Sequence, residues 1–188
     1  MTNDLRQTWY TAKNIQDIFG ISSDKLFHWK QTWRLVKPEI EVKGRAFKNK
    51  YSFKNLLDIA FINELNKFGF EPSQISDIIK IFDGPDVPKE WRGSIWNYFK
   101  YRRKDVPVRD EKEDSSYKYP GFEKSGFLIL IYQHKKKYVT FCGDTKEVLD
   151  HLERHELESK DKDASKSFLI INLLKIIKEI EELTGEKL

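Results

Sequence analysis

The sequence predicts a mainly α fold with small β-hairpins, an α+β class, and three observations carry that expectation. Apolar side chains recur three and four residues apart along most of the 188-residue chain, the spacing of one buried helical face. Two stretches, near residues 39–51 and 127–142, instead alternate or cluster strand-forming residues around turn-forming ones. Hydrophobic residues at 39% and aromatics at 14% supply a core, while charged residues at 34% cover a wet surface. The length fits one domain, or one domain with an appendage.

Several classes are set aside by composition. No uninterrupted run of about eighteen apolar residues occurs, so no membrane span is expected. The opening MTNDLRQTWY lacks the basic-then-apolar order of a secretory leader. A single cysteine, Cys142, cannot form an internal disulfide or a multi-thiolate metal site. These features predict a cytoplasmic protein of a prokaryotic kind.

Thr11 is placed to cap a short helix bearing Ala12, Ile15, Ile18 and Phe19, and Gly20 ends it. Ser22 is a second N-cap, ahead of a helix carrying Leu26 and Trp29. Two short helices joined by Gly-Ile-Ser have helix-turn-helix punctuation. Pro38 stops the exit, and the alternation Glu39-Ile40-Glu41-Val42 leads to a turn at Lys43-Gly44. The return strand puts Phe47, Asn49 and Tyr51 on one face and Lys48 and Lys50 on the other, which predicts a β-hairpin. Ser52 caps a third helix with Phe53, Leu56, Leu57, Ala60, Phe61, Leu65 and Phe68 at helical spacing, closed by Gly69. Pro72 fits the first turn of a fourth, carrying Ile75, Ile78, Ile79 and Phe82.

Prolines 85 and 88 mark a boundary, so residues 1–83 read as one domain and 84–121 as a linker holding an amphipathic helix at 89–102. Residues 122–188 read as a hairpin plus helices, a dimerisation or ligand-sensing region. Phe127–Tyr132 and Tyr138–Cys142 flank a basic loop at 133–137, and Asp144 with Glu147 opens a helix to about Leu157. A last helix is expected over Ser167–Leu183, stopped by Gly185. Its double apolar seam, Leu169, Ile170, Leu173, Leu174, Ile176, Ile177, Ile180 and Leu183, is too much for a lone exposed helix and predicts a homodimer.

Charge is unevenly spread. Residues 1–54 hold 11 Lys and Arg against 5 Asp and Glu, a net of +6; residues 143–188 hold 8 against 12, a net of −4. A basic front is the electrostatic footprint that meets a polyanion.

Across residues 9–82 the order helix, turn, helix, hairpin, helix, helix resembles the MerR family of winged helix-turn-helix regulators. The likeness rests on Trp9-Tyr10-Thr11-Ala12 at the opening helix and on Gly20-Ile21-Ser22 leading to Leu26 and Trp29. It extends to Leu35-Val36-Lys37-Pro38 before the wing, Tyr51-Ser52 with Leu56 after it, and Gly69-Phe70 leading to Ile75. The chain departs from the family at Gln16, where an Ala is usual, and in having Asp24, Lys25, Phe27 and His28 on a recognition helix that is usually arginine-rich. The wing's usual Arg-x-Tyr stands here as Asn49-Lys50-Tyr51, and a proline-rich break replaces the family's dimerising helix. The resemblance implies a cytoplasmic, dimeric, sequence-specific transcriptional regulator whose partner is double-stranded DNA.

The residues themselves agree with such a partner. A helix entering the major groove presents side chains to base edges, and Lys25, His28 and Lys30 give this one donors. Arg45, Lys48 and Lys50 on the hairpin reach phosphates, which position without specifying. The full expected interface is Lys13, Ser22, Ser23, Asp24, Lys25, Phe27, His28, Lys30, Arg34, Arg45, Lys48, Lys50 and Tyr51. The competing interpretation makes Leu26 and Trp29 core, His28 an ordinary surface histidine and the lysines solvated.

Other constellations are weaker. His151 and His155 lie four apart with Cys142 upstream, but three ligands without a zincin glutamate read as solvated helical histidines, and no metal is expected. Trp91, Trp96 and the basic run 100–104 interleave aromatics and cations, most simply an amphipathic helix packing on the first domain. No glycine-rich phosphate loop, Gly-x-Ser-x-Gly or paired acidic cluster occurs, so neither catalytic residues nor a cofactor is expected, and any small-molecule effector is left open. Two alternatives stand beside the regulator: an excisionase-like or architectural DNA-binding factor of a mobile element, and a protein-interaction module that does not bind DNA.

Overall fold

Caps decide where the first helices start and stop. The computed structural model describes residues 8–42, 48–80, Phe82, Ile95, 127–134, 137–158 and 164–185. Helix α1 (Ala12–Phe19) begins at Thr11, whose hydroxyl accepts from the Asn14 N–H at 3.3 Å while the Asn14 side chain accepts from the Thr11 N–H at 2.9 Å. Gly20 ends it at φ +64°, a left-handed conformation that a Cβ would strain. Ser22 caps α2 (Ser23–Gln31) by accepting from the Lys25 N–H at 3.2 Å. Ile15, Leu26 and Trp29 are buried, so the pair is pinned along its inner faces. Helices α3 (Phe53–Lys67) and α4 (Pro72–Lys80) follow where the apolar spacing predicts them.

The hairpin expected at 39–51 is present only as a base. Ile40 bridges Lys50 in antiparallel fashion, and Tyr51 bridges Tyr10, just ahead of α1. Its tip, with Lys43, Gly44, Arg45 and Phe47, lies outside the described residues. A buried asparagine organises this base. Asn55 Oδ1 accepts from the Glu39 and Ser52 N–H groups, each at 3.0 Å, and Nδ2 donates to the Lys37 carbonyl at 2.9 Å.

Strands β1 (Leu128–His134), β2 (Lys137–Gly143) and β3 (Ala164–Asn172) form one antiparallel sheet in the order β2-β1-β3. The central strand is covered on both sides, which explains its unbroken Leu-Ile-Leu-Ile-Tyr. Ile129 and Ile131 join the core shared with the N-terminal helices. Leu130 and Tyr132 pack on the other side with Val148 of α5 (Thr145–Glu158). That helix opens with the expected reciprocal cap: the Glu147 N–H donates to the Asp144 carboxylate at 2.8 Å and the Asp144 N–H to the Glu147 carboxylate at 2.9 Å.

The expected helix over Ser167–Leu183 is corrected. The chain is strand through Asn172 and only then helix α6 (Leu173–Thr184). Phe168 to Ile171 are four successive bulky apolar residues, and β1 offers them a free edge to pair with. Asn172 then starts the helix afresh, its side chain accepting from the Lys175 N–H at 3.1 Å. The eight-residue seam is therefore not one surface. Leu173, Ile176, Ile177 and Ile180 are buried as α6 packs on α1 and α3 of the same chain. Leu169 and Leu174 are partly covered against that core, and Ile170 and Leu183 are exposed.

The segments read as separate domains thus close over one shared apolar core. Gln74 Nε2 donates to the Tyr138 hydroxyl at 2.8 Å, and the Leu173 N–H donates to the Phe127 carbonyl at 2.8 Å. The linker 84–121, with the helix expected at 89–102, lies outside the described residues except for Ile95. That residue is buried, and its N–H donates to the Asp58 carboxylate at 3.0 Å. Among the described residues no helix is long and apolar enough to cross a membrane.

Candidate nucleic-acid interface

Helix α2 is divided by its own periodicity. Leu26 and Trp29 anchor it inward, so residues 24, 27, 28 and 31, three, four and seven apart, point outward together. This outer strip is Asp24, Phe27, His28 and Gln31, with Ser22 and Ser23 exposed at its start. Phe27 is 59% exposed and meets the His28 ring edge-on at 5.9 Å. His28 Nδ1 lies 3.2 Å from the Thr32 hydroxyl, which orients the imidazole along the helix. The strip can offer a hydrogen-bonding imidazole and carboxamide to base edges and an apolar ring to a thymine methyl.

The two lysines expected on that strip stand on its flanks. Lys25 lies 5.1 Å from the centroid of the Trp29 ring, tilted toward the inner side. Desolvation by burial, then the nearby Lys67 charge, lowers its pKa below the ordinary lysine value. Lys30, on the opposite flank, is ion-paired with Glu41 at 2.8 Å and largely covered. The pair ties α2 to the 39–42 segment. Ser22 is exposed, but its hydroxyl is committed to the helix cap.

Arg34 closes α2 from the far end. It is exposed and sits at φ +53°, the one non-glycine residue at positive φ among the described residues. The turn it makes lets the Leu35 N–H donate to the Trp29 carbonyl at 2.8 Å. A left-handed conformation costs a residue with a Cβ about 1–2 kcal/mol.

At the base of the 39–51 hairpin, Lys48 and Lys50 are exposed, and Lys50 lies 5.9 Å from the centroid of the Trp9 ring. The Tyr10–Tyr51 bridge brings Trp9 and Lys50 together, joining the hairpin base to the segment just ahead of α1. Lys13 is exposed on α1. Tyr51 is corrected from interface to core: it is 2% exposed, and burial raises its phenol pKa, against a smaller lowering from the Asn49 hydrogen bond. Arg45 lies outside the described residues.

Sequence reasoning missed Glu41 as the partner of Lys30, Trp9 as the platform beside Lys50, and Asn55 as the clasp of the hairpin base. An asparagine three residues past a serine cap was a local sign of the last; the first two need the fold. Of the three residues weighed as metal ligands and set aside, two have described side chains. His151 stacks on Phe141 at 4.1 Å and 10°, its Nε2 lies 3.1 Å from the Tyr132 hydroxyl, and Cys142 is buried. The His155 side chain lies outside the described residues.

In comparisons with known proteins, no family model matches the chain and no curated protein matches it.

Proposed function

We propose that this chain is a cytoplasmic, sequence-specific DNA-binding regulator of the winged helix-turn-helix kind, with α2 entering the major groove and the 39–51 wing lying along the adjoining backbone. The observation that carries this reading is α2 itself. Two buried residues fix its inner side against the body, and its outer strip of polar and aromatic side chains is left uncovered. His28 and Gln31 are the base-edge contacts, with Phe27 against a thymine methyl. Lys13, Arg34, Lys48 and Lys50 meet phosphate, and the net charge of +6 over residues 1–54 steers the approach.

Recognition of a two-fold operator calls for a homodimer. Because α6 packs within the chain, the members of the apolar seam exposed for that contact are Ile170 and Leu183. A second reading, a protein-interaction module, is favoured by Phe27 and Trp33, both large, apolar and exposed at the two ends of this surface.

Selection of bound duplexes from a random pool, followed by salt titration of the enriched sequence, tests the proposal. Enrichment of a defined motif whose affinity falls steeply with salt supports regulation. Salt-dependent binding without a preferred sequence favours an architectural factor. Absence of duplex binding at low salt leaves the interaction module.

A further inference from the structure

Among the described residues the sheet ends at β3, which in the order β2-β1-β3 has a neighbour on one side only. Its register fixes which backbone groups look outward. The Leu173 N–H donates to the Phe127 carbonyl at 2.8 Å, and this pair continues the register in which Leu128 faces Asn172 and Ile129 faces Ile171. Directly opposed residues of an antiparallel ladder alternate between bonded and non-bonded pairs. Ile171 and Leu169 therefore bond to β1, and the N–H and C=O of Ile170 point away from it. Natural edges are blunted by a proline, a charge or a bulge. From Phe168 to Asn172 β3 has none of these, and its register shift against β1 falls on the far side of Phe168.

Apolar side chains collect along the same edge. Ile170 is 45% exposed and Phe68, at the end of α3, is 60% exposed. Both line an open groove of about 310 Å³ between β3 and helices α3 and α6. The charges around that groove balance, Lys67 pairing with Glu64 and Lys175 lying 4.0 Å from Glu179. A face that carries both signs equally does not repel its own copy, which is the condition for an isologous contact. The register is self-complementary as well. A two-fold axis at Ile170 sets that residue opposite the partner subunit's Ile170, and Phe168 opposite the partner subunit's Asn172, all of them outward-facing positions. We propose that β3 pairs antiparallel with β3 of a second copy, centred on Ile170, so that the two sheets become one of six strands. The pairing rests on the homodimer reading above and names its contact; its test needs no DNA.

Sedimentation of the full chain over rising concentration is combined with amide hydrogen exchange followed by NMR. A dimer is expected whose formation slows exchange at the Ile170 N–H by about tenfold or more. Leu169 and Ile171, already bonded to β1, should exchange slowly at every concentration. Ile170→Pro removes an outward donor and no bond to β1, a place where an edge strand tolerates proline. That variant is expected to sediment as a monomer with a circular dichroism spectrum near that of the parent; should it lose its fold, exchange in the wild-type chain decides. A chain that stays monomeric at millimolar concentration overturns the pairing and leaves a DNA-binding protein that acts as a single copy. A dimer whose Ile170 N–H exchanges equally fast at all concentrations also overturns it and places the contact elsewhere. A dimer with Ile170 protected that binds no duplex keeps the pairing and removes the DNA reading alone.

Discussion

Arg34 carries a backbone cost that a glycine would remove, and strained positions concentrate where a side chain is needed for something other than stability. Arg34→Gly is expected to leave the fold no less stable, gaining up to about 1 kcal/mol, while lowering duplex affinity and flattening the salt slope by about one counterion. Unchanged affinity in a thermally stable variant removes Arg34 from the interface. Lys25 and His28 looked equivalent in sequence and are not. His28→Ala should cut discrimination between preferred and random duplexes by roughly 1–3 kcal/mol. Lys25→Met should instead weaken both duplexes alike and leave melting temperature the same or higher, because the ammonium is partly desolvated and near Lys67. Tyr51 gives a pH test. Its folded pKa is raised, so the folded state holds a proton that the unfolded chain begins to lose near pH 10. Its contribution is fully present below that pH and is lost as pH rises toward the raised folded value. Tyr51→Phe should soften the alkaline loss of stability and leave duplex affinity untouched; a drop in affinity with the fold intact would return Tyr51 to the interface. These residues show the limit of sequence reading at this scale: residue type and helix face were legible, but which lysine is tilted inward depends on Trp29, Lys67 and Glu41 arriving from elsewhere.

At the scale of elements, the base of the 39–51 hairpin depends on one side chain. Asn55→Ala removes three hydrogen bonds to the backbone and leaves the Glu39 N–H, the Ser52 N–H and the Lys37 carbonyl without their partner. Each buried group so left costs about 1–3 kcal/mol, less where water reaches it. The expected result is a loss of a few kcal/mol by chemical denaturation, with faster amide exchange at Glu39 and Ser52 before the rest of the helical body opens. Loss of stability without local exchange would place the clasp elsewhere. The helices around this base were readable because their signals are local: Thr11, Gly20, Ser22 and Asp144 act within four residues of themselves. The error at 167–183 has the opposite origin. A short continuous apolar run suits a strand or a buried helix equally, and what decides it is the unpaired edge of β1, more than thirty residues earlier. Asn172 was the one local sign of the break, a capping residue in the middle of an apparent helix.

For the whole molecule, the decisive fact is that the C-terminal segment completes the core that carries α1 and α2. Ile171, Leu173, Ile176, Ile177 and Ile180 are buried in the same cluster as Ile15, Leu26 and Trp29. Fully burying one such side chain is worth about 1.5–3 kcal/mol, so removing several exceeds the margin by which a domain of this size stays folded. A chain ending at Ser165 is therefore expected to lose cooperative unfolding and duplex binding together. Its change in sedimentation would report unfolding and would say nothing about a dimer contact. The dimer question needs a substitution that spares the core, and Ile170→Glu with Leu183→Glu meets that condition because both side chains are exposed. If a two-fold interface uses them, the double variant sediments as a monomer while its melting temperature and circular dichroism stay near those of the parent at low concentration. If parent and variant sediment alike, these two residues form no interface. In that case the operator recovered by duplex selection should be a single asymmetric site, bound by one chain through α2 and the wing.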